Sequence, residues 1–304
     1  MDFKITILGT GAAIPTLRRG NSAQFIQCHQ RQILIDCGEG TQLQMRKFGL
    51  KFQNVQIILI SHLHGDHIFG LPGLIGTMQL LGRNSPLLII GPKGLKSFLL
   101  SLFEIIGLPV VMPIEFKELE TKKEVITVFS DKSIEIKAFP LHHRIATFGY
   151  RINEKTGKRG LDKEAFDKTG VSIAYIDKLK NGEDIIDNNG VHVRYEDVTF
   201  PPKPTISYAY CSDTAYYPTI VEHIQGVDLL YHEATFAEKE RSRAEVTYHS
   251  TASDAAKIAQ EAKVGKLILG HLSARYNTDS KHLEEARIHF NNTVVAKDGD
   301  IFNL

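Results

Sequence analysis

The sequence predicts an α/β fold of stacked sheets flanked by helices, on three observations. Strand patterns alternate with helical ones along most of the 304 residues, an order that suits sheets covered by helical layers. The run "VQIILIS" is apolar without alternation, as in strands buried on both faces. Three of the helical stretches close on glycine, a stop signal because glycine tolerates the left-handed backbone there.

In chain order, Phe3, Ile5 and Ile7 alternate with Lys4 and Thr6 and predict a first strand. "SAQFIQC" and "QILIDCG" read as paired strands, while "GTQLQMRKFG", "GLIGTMQLLG" and "GLKSFLLSLFEIIG" read as helices. A run of strands spans about 113 to 153, with "IEIKAFPL" and "TFGYRI" among them. After residue 205 the strands "ISYAYCSD", "VDLLYHEA" and "KLILGH" enclose the helix-like "STASDAAKIAQEA"; a second helix near 280–290 and a final "TVVAKDGDIFNL" follow.

Residues 154–204 interrupt this order. They are rich in Lys, Asp, Asn and Gly, carry few apolar residues, and end in "FPPKP", whose prolines resist further pairing. An insertion of about 50 residues in a compact domain is usually functional or mobile. The chain is therefore expected to be one domain, 1–304, with an insertion at 154–204.

Composition narrows the function. Lys and Arg total 36 against 35 for Asp and Glu, which excludes a strongly basic field and leaves any nucleic-acid partner to a local patch. No apolar run approaches the roughly 18 residues of a membrane span, and "MDFKITILGTG" reads as a strand and not as a targeting segment. A cytoplasmic protein without a membrane partner is expected. Cys28, Cys37 and Cys211 have no C-x-x-C spacing and are odd in number, a poor disulfide framework; they are expected to be reduced and mostly buried.

The densest chemistry is "SHLHGDH" at 61–67. His62, His64, Asp66 and His67 offer imidazole and carboxylate together, a donor set that suits Zn²⁺ or a similar ion. The segment begins where an apolar strand ends, and Gly65 allows a sharp turn. Chain direction sends His62 and His64 one way and Asp66 and His67 another, so two ions are the natural count. Further donors are available at strand ends in "PLHHR" (140–144), "YCSDT" (Asp213) and "LILGHLS" (His271), with Asp213 a candidate bridge. Two ions side by side polarise a phosphoryl oxygen and activate water. Asp66 is then a candidate base, and His249 of "YHST", the best remaining histidine, a candidate proton donor. "GTGAAI" lacks the third glycine and the helix of a dinucleotide loop, and reads as a tight turn lining the metal pocket.

"SHLHGDH" is similar to the H-x-H-x-D-H signature of the metallo-β-lactamase superfamily. With "LGTGAAIPT", "IDCGEGTQLQMRK", "HGDHIFGLPGL", "FGYR", "CSDT", "HEATF", "HST" and "GHLSARY", the chain resembles the ribonuclease Z family from Leu8 to Tyr276. The resemblance implies a four-layer αββα sandwich with an inserted flexible arm, two zinc ions per subunit, a homodimer, and precursor tRNA as substrate. It implies removal of the 3′ trailer, leaving a 3′-hydroxyl on the tRNA and a 5′-phosphate on the trailer. It assigns His62, His64 and His143 to one zinc, Asp66, His67 and His271 to the other, and Asp213 to both. His143 is chosen over His142 because five residues separate it from "GYR", as in the family pattern. The catalytic set it implies is Asp66 as base and His249 as acid, with Glu233 of "HEATF" orienting His249. The insertion corresponds to the family's tRNA-gripping arm, with Lys155, Lys158, Arg159, Lys178 and Lys180 as its basic clusters. The competing expectation is a hydrolase of a small phosphodiester, ester or thioester on the same fold.

Overall fold

The fold is described from a computed structural model, covering residues 3–120 and 124–304. Residues 1–2 of the predicted first strand, and 121–123 within the predicted strand run, lie outside the described residues. The chain divides into two compact units, one of 1–130, 134–153 and 206–304, the other of 131–133 and 154–205.

The larger unit is built on two seven-stranded sheets. Strands Phe3–Gly9 (β1), Ala23–Cys28 (β2), Arg31–Ile35 (β3), Ile57–Leu59 (β4), Leu87–Pro92 (β5) and Ile114–Leu119 (β6) form the first. β1, β2 and β3 pair antiparallel, and β3 to β6 pair parallel. The second sheet holds Ile126–Ser130 (β7), Ile134–Pro140 (β8), Phe148–Glu154 (β9), Ser207–Cys211 (β10), Leu229–Glu233 (β11), Lys266–Gly270 (β12) and Thr293–Val295 (β13) in the order β13-β12-β11-β10-β9-β8-β7. Its β10 to β13 are parallel. The last strand, Ile301–Asn303 (β14), returns to the first sheet antiparallel to β1.

Side-chain alternation explains why the sheets stack. Ile5, Ile7, Ile33, Ile57 and Leu59 share one buried cluster with Ile136, Tyr150, Tyr208, Tyr210, Tyr231 and Ile268. Their neighbours Leu34 and Ile58 face the other way, toward Leu71, Leu74 and Leu99 on helices Leu71–Leu80 and Leu95–Ile105. Strands buried on both faces cannot alternate polar and apolar residues, which accounts for "VQIILIS". Behind the second sheet, helix Ala252–Glu261 buries Ala252, Ala255, Ala256 and Ala259 against Leu230, Leu267 and Leu269. Its small side chains allow close approach, and Thr251 caps it with Asp254 in a reciprocal capping box. The four layers are thus helix, sheet, sheet, helix. Ile58→Ala would remove a fully buried side chain shared by strand and helices, at a cost of about 2–5 kcal/mol.

The smaller unit corrects the impression left by its polar composition. Phe166, Val171, Leu179, Ile185, Val193 and Val198 are buried together, and two short helices, Lys163–Thr169 and Ile176–Lys180, carry part of that cluster. Six apolar residues close this core, while Ile173, Ile186, Val191 and Phe200 stay exposed. The chain leaves β9 and re-enters at β10, where Asn153 and Ser207 are register partners.

Candidate metal centre

The candidate ligands sit on loops that leave strands at their C-terminal ends, where open parallel sheets place ligand sites. The heptad follows β4, His143 follows β8, Asp213 follows β10 and His271 follows β12. A single helical turn, Gly65–Ile68, swings Asp66 and His67 away from His62 and His64. The loop after β3 clasps that turn, with Cys37 N–H donating to the His67 carbonyl and Gly70 N–H to the Cys37 carbonyl. A Cβ on Gly70 would lie 2.1 Å from the Gly38 oxygen, so the clasp needs glycine there.

Two donor groups result. His62 Nε2 lies 3.0 Å from His64 Nδ1, and His143 Nε2 lies 3.3 Å from the same atom. Asp213 Oδ2 approaches His62 Nε2 at 3.5 Å and His143 Nε2 at 3.9 Å. In the other group His271 Nε2 lies 3.3 Å from both Asp66 Oδ2 and His67 Nε2. Asp213 Oδ1 approaches His67 Nε2 at 3.4 Å and His271 Nε2 at 3.2 Å. One carboxylate therefore shows one oxygen to each group. Within each of the sets His62, His64, His143, Asp213 and Asp66, His67, His271, the donor atoms lie within 4.8 Å of one another.

The surrounding hydrogen bonds decide what these atoms are. His67 Nδ1–H donates to Asp36 Oδ2 at 2.8 Å, His143 Nδ1–H to the Tyr248 carbonyl at 2.8 Å, and His62 Nδ1 meets Ser61 Oγ at 3.0 Å. With their protons held at Nδ1, His62 and His143 turn Nε2 lone pairs toward His64 Nδ1 and Asp213 Oδ2. Acceptors facing acceptors repel unless a cation lies between them. Among the described residues Asp213 Oδ1 is buried without a hydrogen-bond partner, a cost that a metal ion would remove. The residues fit divalent ions on these grounds.

Electrostatics agree. Burial raises the Asp66 and Asp213 carboxyls, but the histidines around them outweigh it and hold both well below the usual carboxylate range. Burial lowers His62 to about 4, with the His67 charge adding to the effect. His64 and His143 are also lowered by burial, only partly offset by Asp213. His67 is raised despite its burial, because Asp213, Asp36 and Asp66 surround it. Three carboxylates pulling on one buried ring is the pull a cation would answer.

Next to the second group lies a hydrogen-bonded pair, Glu233 Oε1 and His249 Nδ1, 2.8 Å apart. Burial disfavours the charged ring, yet the Glu233 charge and hydrogen bond, with Asp213 and Asp66, raise His249 to about 9. His249 follows Tyr248, whose φ is +59°, and precedes the helix cap at Thr251. His249 borders a cleft of about 340 Å³ that also meets Ala12, Ala13 and Ile14 of the "GTGAAI" turn. Ala13 N–H donates to Asp66 Oδ2 at 2.8 Å.

All seven residues predicted as ligands, with His249 and Glu233, thus come together in one place. His142 lies outside, exposed and against Tyr217 and Tyr248. Sequence reasoning missed Asp36, Ser61, Tyr210 and Thr235. Asp36 accepts from Ser61 N–H, Ser61 Oγ–H, Tyr210 OH and His67. Its place at the end of a buried strand, ahead of "CGEG", was the available signal. Cys28, Cys37 and Cys211 are all buried, as expected, and none of them is in a disulfide. Among the described residues no helix is long and apolar enough to cross a membrane.

A family model described as anti-Pycsar protein Apyc1 matches residues 3–153. A protein named ribonuclease Z from Bacteroides fragilis is 43% identical over 302 residues, covering 99% of each chain. Another of that name from Ignicoccus hospitalis is 39% identical over 295 residues, covering 97% of this chain and 96% of its own. The crystal structure of the short form of human tRNase Z superposes with a TM-score of 0.73 at 28% identity, covering 99% of this chain and 98% of that one.

Proposed function

The chain belongs to the ribonuclease Z family, and from that premise we propose that it is a zinc-dependent endoribonuclease that removes the 3′ trailer from precursor tRNA. A ribonuclease is a phosphodiester hydrolase, and the observation that carries this reading is Asp213, one buried carboxylate with an oxygen toward each of two donor groups. His62, His64 and His143 with Asp213 would hold one ion, and Asp66, His67 and His271 with Asp213 the other. Bound there, two zinc ions would polarise a phosphoryl oxygen and make water acidic enough to attack at neutral pH.

The chain's own groups then manage protons. Asp66, kept ionised and steadied by Ala13 N–H, accepts the proton of the attacking water. The water oxygen bonds to phosphorus and the bond from phosphorus to the ribose 3′-oxygen breaks. His249, protonated beside Glu233, gives its proton to that leaving oxygen from Nε2, because Nδ1–H is engaged. The products are a 3′-hydroxyl on the tRNA and a 5′-phosphate on the trailer. Glu233 is a positioning residue that acts through His249.

The unit at 154–205 is proposed as the arm that binds tRNA. Lys178 is exposed on helix Ile176–Lys180, while Lys158 pairs with Asp177 and Arg159 stacks over Tyr195. Such cations contact phosphates and carry position, not sequence. A cytoplasmic homodimer completes the proposal. Leu80, Leu81, Ile105, Ile106 and Val111 are exposed, and Gln79 ties their two helix ends together through Pro109 and Val111. Such a patch suits a subunit contact.

One assay tests the enzyme. End-labelled precursor tRNA is incubated with wild type, with and without chelator, and with Asp66→Ala. Release of an intact trailer by metal-loaded wild type alone is expected. Equal cleavage by Asp66→Ala would sink the mechanism, and hydrolysis confined to small phosphodiesters would replace the substrate.

A further inference from the structure

One hydroxyl touches both halves of the proposed machinery. Thr235 is almost completely buried, and its Oγ1 lies 2.7 Å from Glu233 Oε2, 3.0 Å from His271 Nδ1 and 3.3 Å from His249 Nδ1. A hydroxyl has a single proton to donate and two lone pairs. The allocation of that proton follows from what surrounds it.

Glu233 is fully buried and held below the ordinary carboxylate range, because burial, which would raise it, is outweighed by His249. As an ionised group it can only accept. Its Oε1 receives Thr214 N–H and His249 Nδ1–H, and its Oε2 receives Thr235 N–H at 2.9 Å. The remaining contact at Oε2 is the Thr235 hydroxyl, so the hydroxyl proton points there. Toward His271 the same oxygen has only lone pairs to offer. His271 Nδ1 must therefore carry the ring proton, which strips Nε2 of hydrogen and leaves its lone pair facing Asp66 and Asp213. His249 sends its own Nδ1–H to Glu233, the nearer acceptor at 2.8 Å.

The geometry points to Thr235 as a positioning residue that fixes the tautomer of His271 for metal binding and ties this ligand to the Glu233–His249 pair. This inference rests on the two-metal reading above. Among the described residues His271 Nδ1 has no other hydrogen-bond partner in the structure. His271 also sits at a φ of +55°, outside the regular strand, so the backbone alone does not hold its ring. In the first donor group the Nδ1 protons are held by other acceptors, Ser61 Oγ for His62 and the Tyr248 carbonyl for His143. Loss of the hydroxyl should consequently damage one ion site and spare the other.

That asymmetry is the test. Apo protein is titrated with Zn²⁺ against a chromophoric chelator, for wild type, Thr235→Val and Thr235→Ser, with folding checked by circular dichroism. Wild type should bind two equivalents. Thr235→Val, which keeps the shape and removes the hydroxyl, should bind the first equivalent as wild type does and the second about 10–100-fold more weakly, the usual effect of losing an outer partner of a ligand. Thr235→Ser, which keeps the hydroxyl, should bind both within about threefold of wild type, well short of that loss. Undiminished binding of both equivalents by Thr235→Val overturns the inference and leaves the two-metal reading standing. Loss of the second site in Thr235→Ser also overturns it, and does so even where Thr235→Val fails to fold. A wild type that binds no zinc would overturn both readings together.

Discussion

Asp36 Oδ2 and His67 Nδ1 lie 2.8 Å apart, and neither side chain reaches solvent. The carboxylate takes four donors in all, from Ser61 backbone and hydroxyl, Tyr210 and His67. It spans the two sheets, because Asp36 follows β3 of the first and Tyr210 lies on β10 of the second. Asp36→Asn would turn an amide N–H₂ toward donors. Each buried donor left unpaired costs roughly 1–3 kcal/mol, so urea unfolding of the apo protein should show a loss of about 3 kcal/mol or more. A loss below about 1 kcal/mol, the cost of less than one such group, would contradict the role given to this carboxylate.

Truncation of the proton donor should separate chemistry from binding. His249→Ala removes the group proposed to protonate the leaving oxygen, and kcat for precursor tRNA should fall by about 10²–10⁴, the usual contribution of a general acid. Gel-shift affinity for the same RNA should stay within a few fold, since His249 contributes only one edge of the cleft. Equal losses in binding and turnover would argue against the assignment.

The pH profile carries a sign. His249 is raised to about 9, against the pull of burial, by Glu233 together with Asp213 and Asp66. An acid must be protonated to act, so activity should fall as pH rises toward 9; charge on bound ions, by offsetting Asp213 and Asp66, moves that limb lower. Glu233→Gln removes the first of the raising charges and should shift the limb toward neutrality. The same elevation makes a stability contribution that is complete below the ordinary histidine value near 6.5 and disappears as pH passes through about 9. Rate measurements from pH 6 to 10 on both proteins check this; an unmoved limb in Glu233→Gln would remove His249 as its origin.

Removal of the insertion should leave the rest intact. Asn153 and Ser207 are partners in one antiparallel ladder, so a short glycine-containing turn of about four residues can replace 154–205. The shortened protein should hydrolyse bis(p-nitrophenyl) phosphate at the wild-type rate while its KM for precursor tRNA rises at least tenfold. Unchanged KM would detach the arm from substrate binding.

The candidate ligands that the fold brings together were legible in sequence because each follows a recognisable apolar strand, and the heptad places four of them within six positions. Helices were legible where periodicity coincided with terminal signals, as at Thr251 and Ala252–Glu261. The residues that hold the ligands in place were not. Thr235 and Tyr210 are ordinary strand-end residues whose roles exist only when β10, β11 and β12 lie side by side. Asp36 meets Tyr210 across 174 positions. The core of the insertion escaped notice for a related reason, since Phe166 and Val198 belong to no common periodic segment and meet only through tertiary packing.

Asp36, Tyr248 and His271 all have φ values between +55° and +59°, a backbone state that costs a residue other than glycine about 1 kcal/mol or more. Glycine would relieve each one and remove a carboxylate, a ring or a ligand. Backbone tension of this kind is thus present at the candidate centre, as it is at His29 and Lys263 elsewhere. Ions bound to the folded state alone would counter that tension, by about 2.7 kcal/mol at a hundredfold excess over Kd. Heat tolerance then becomes a gauge of occupancy, and a melting curve rising with added zinc would report the loading of a centre whose unloaded form is locally metastable.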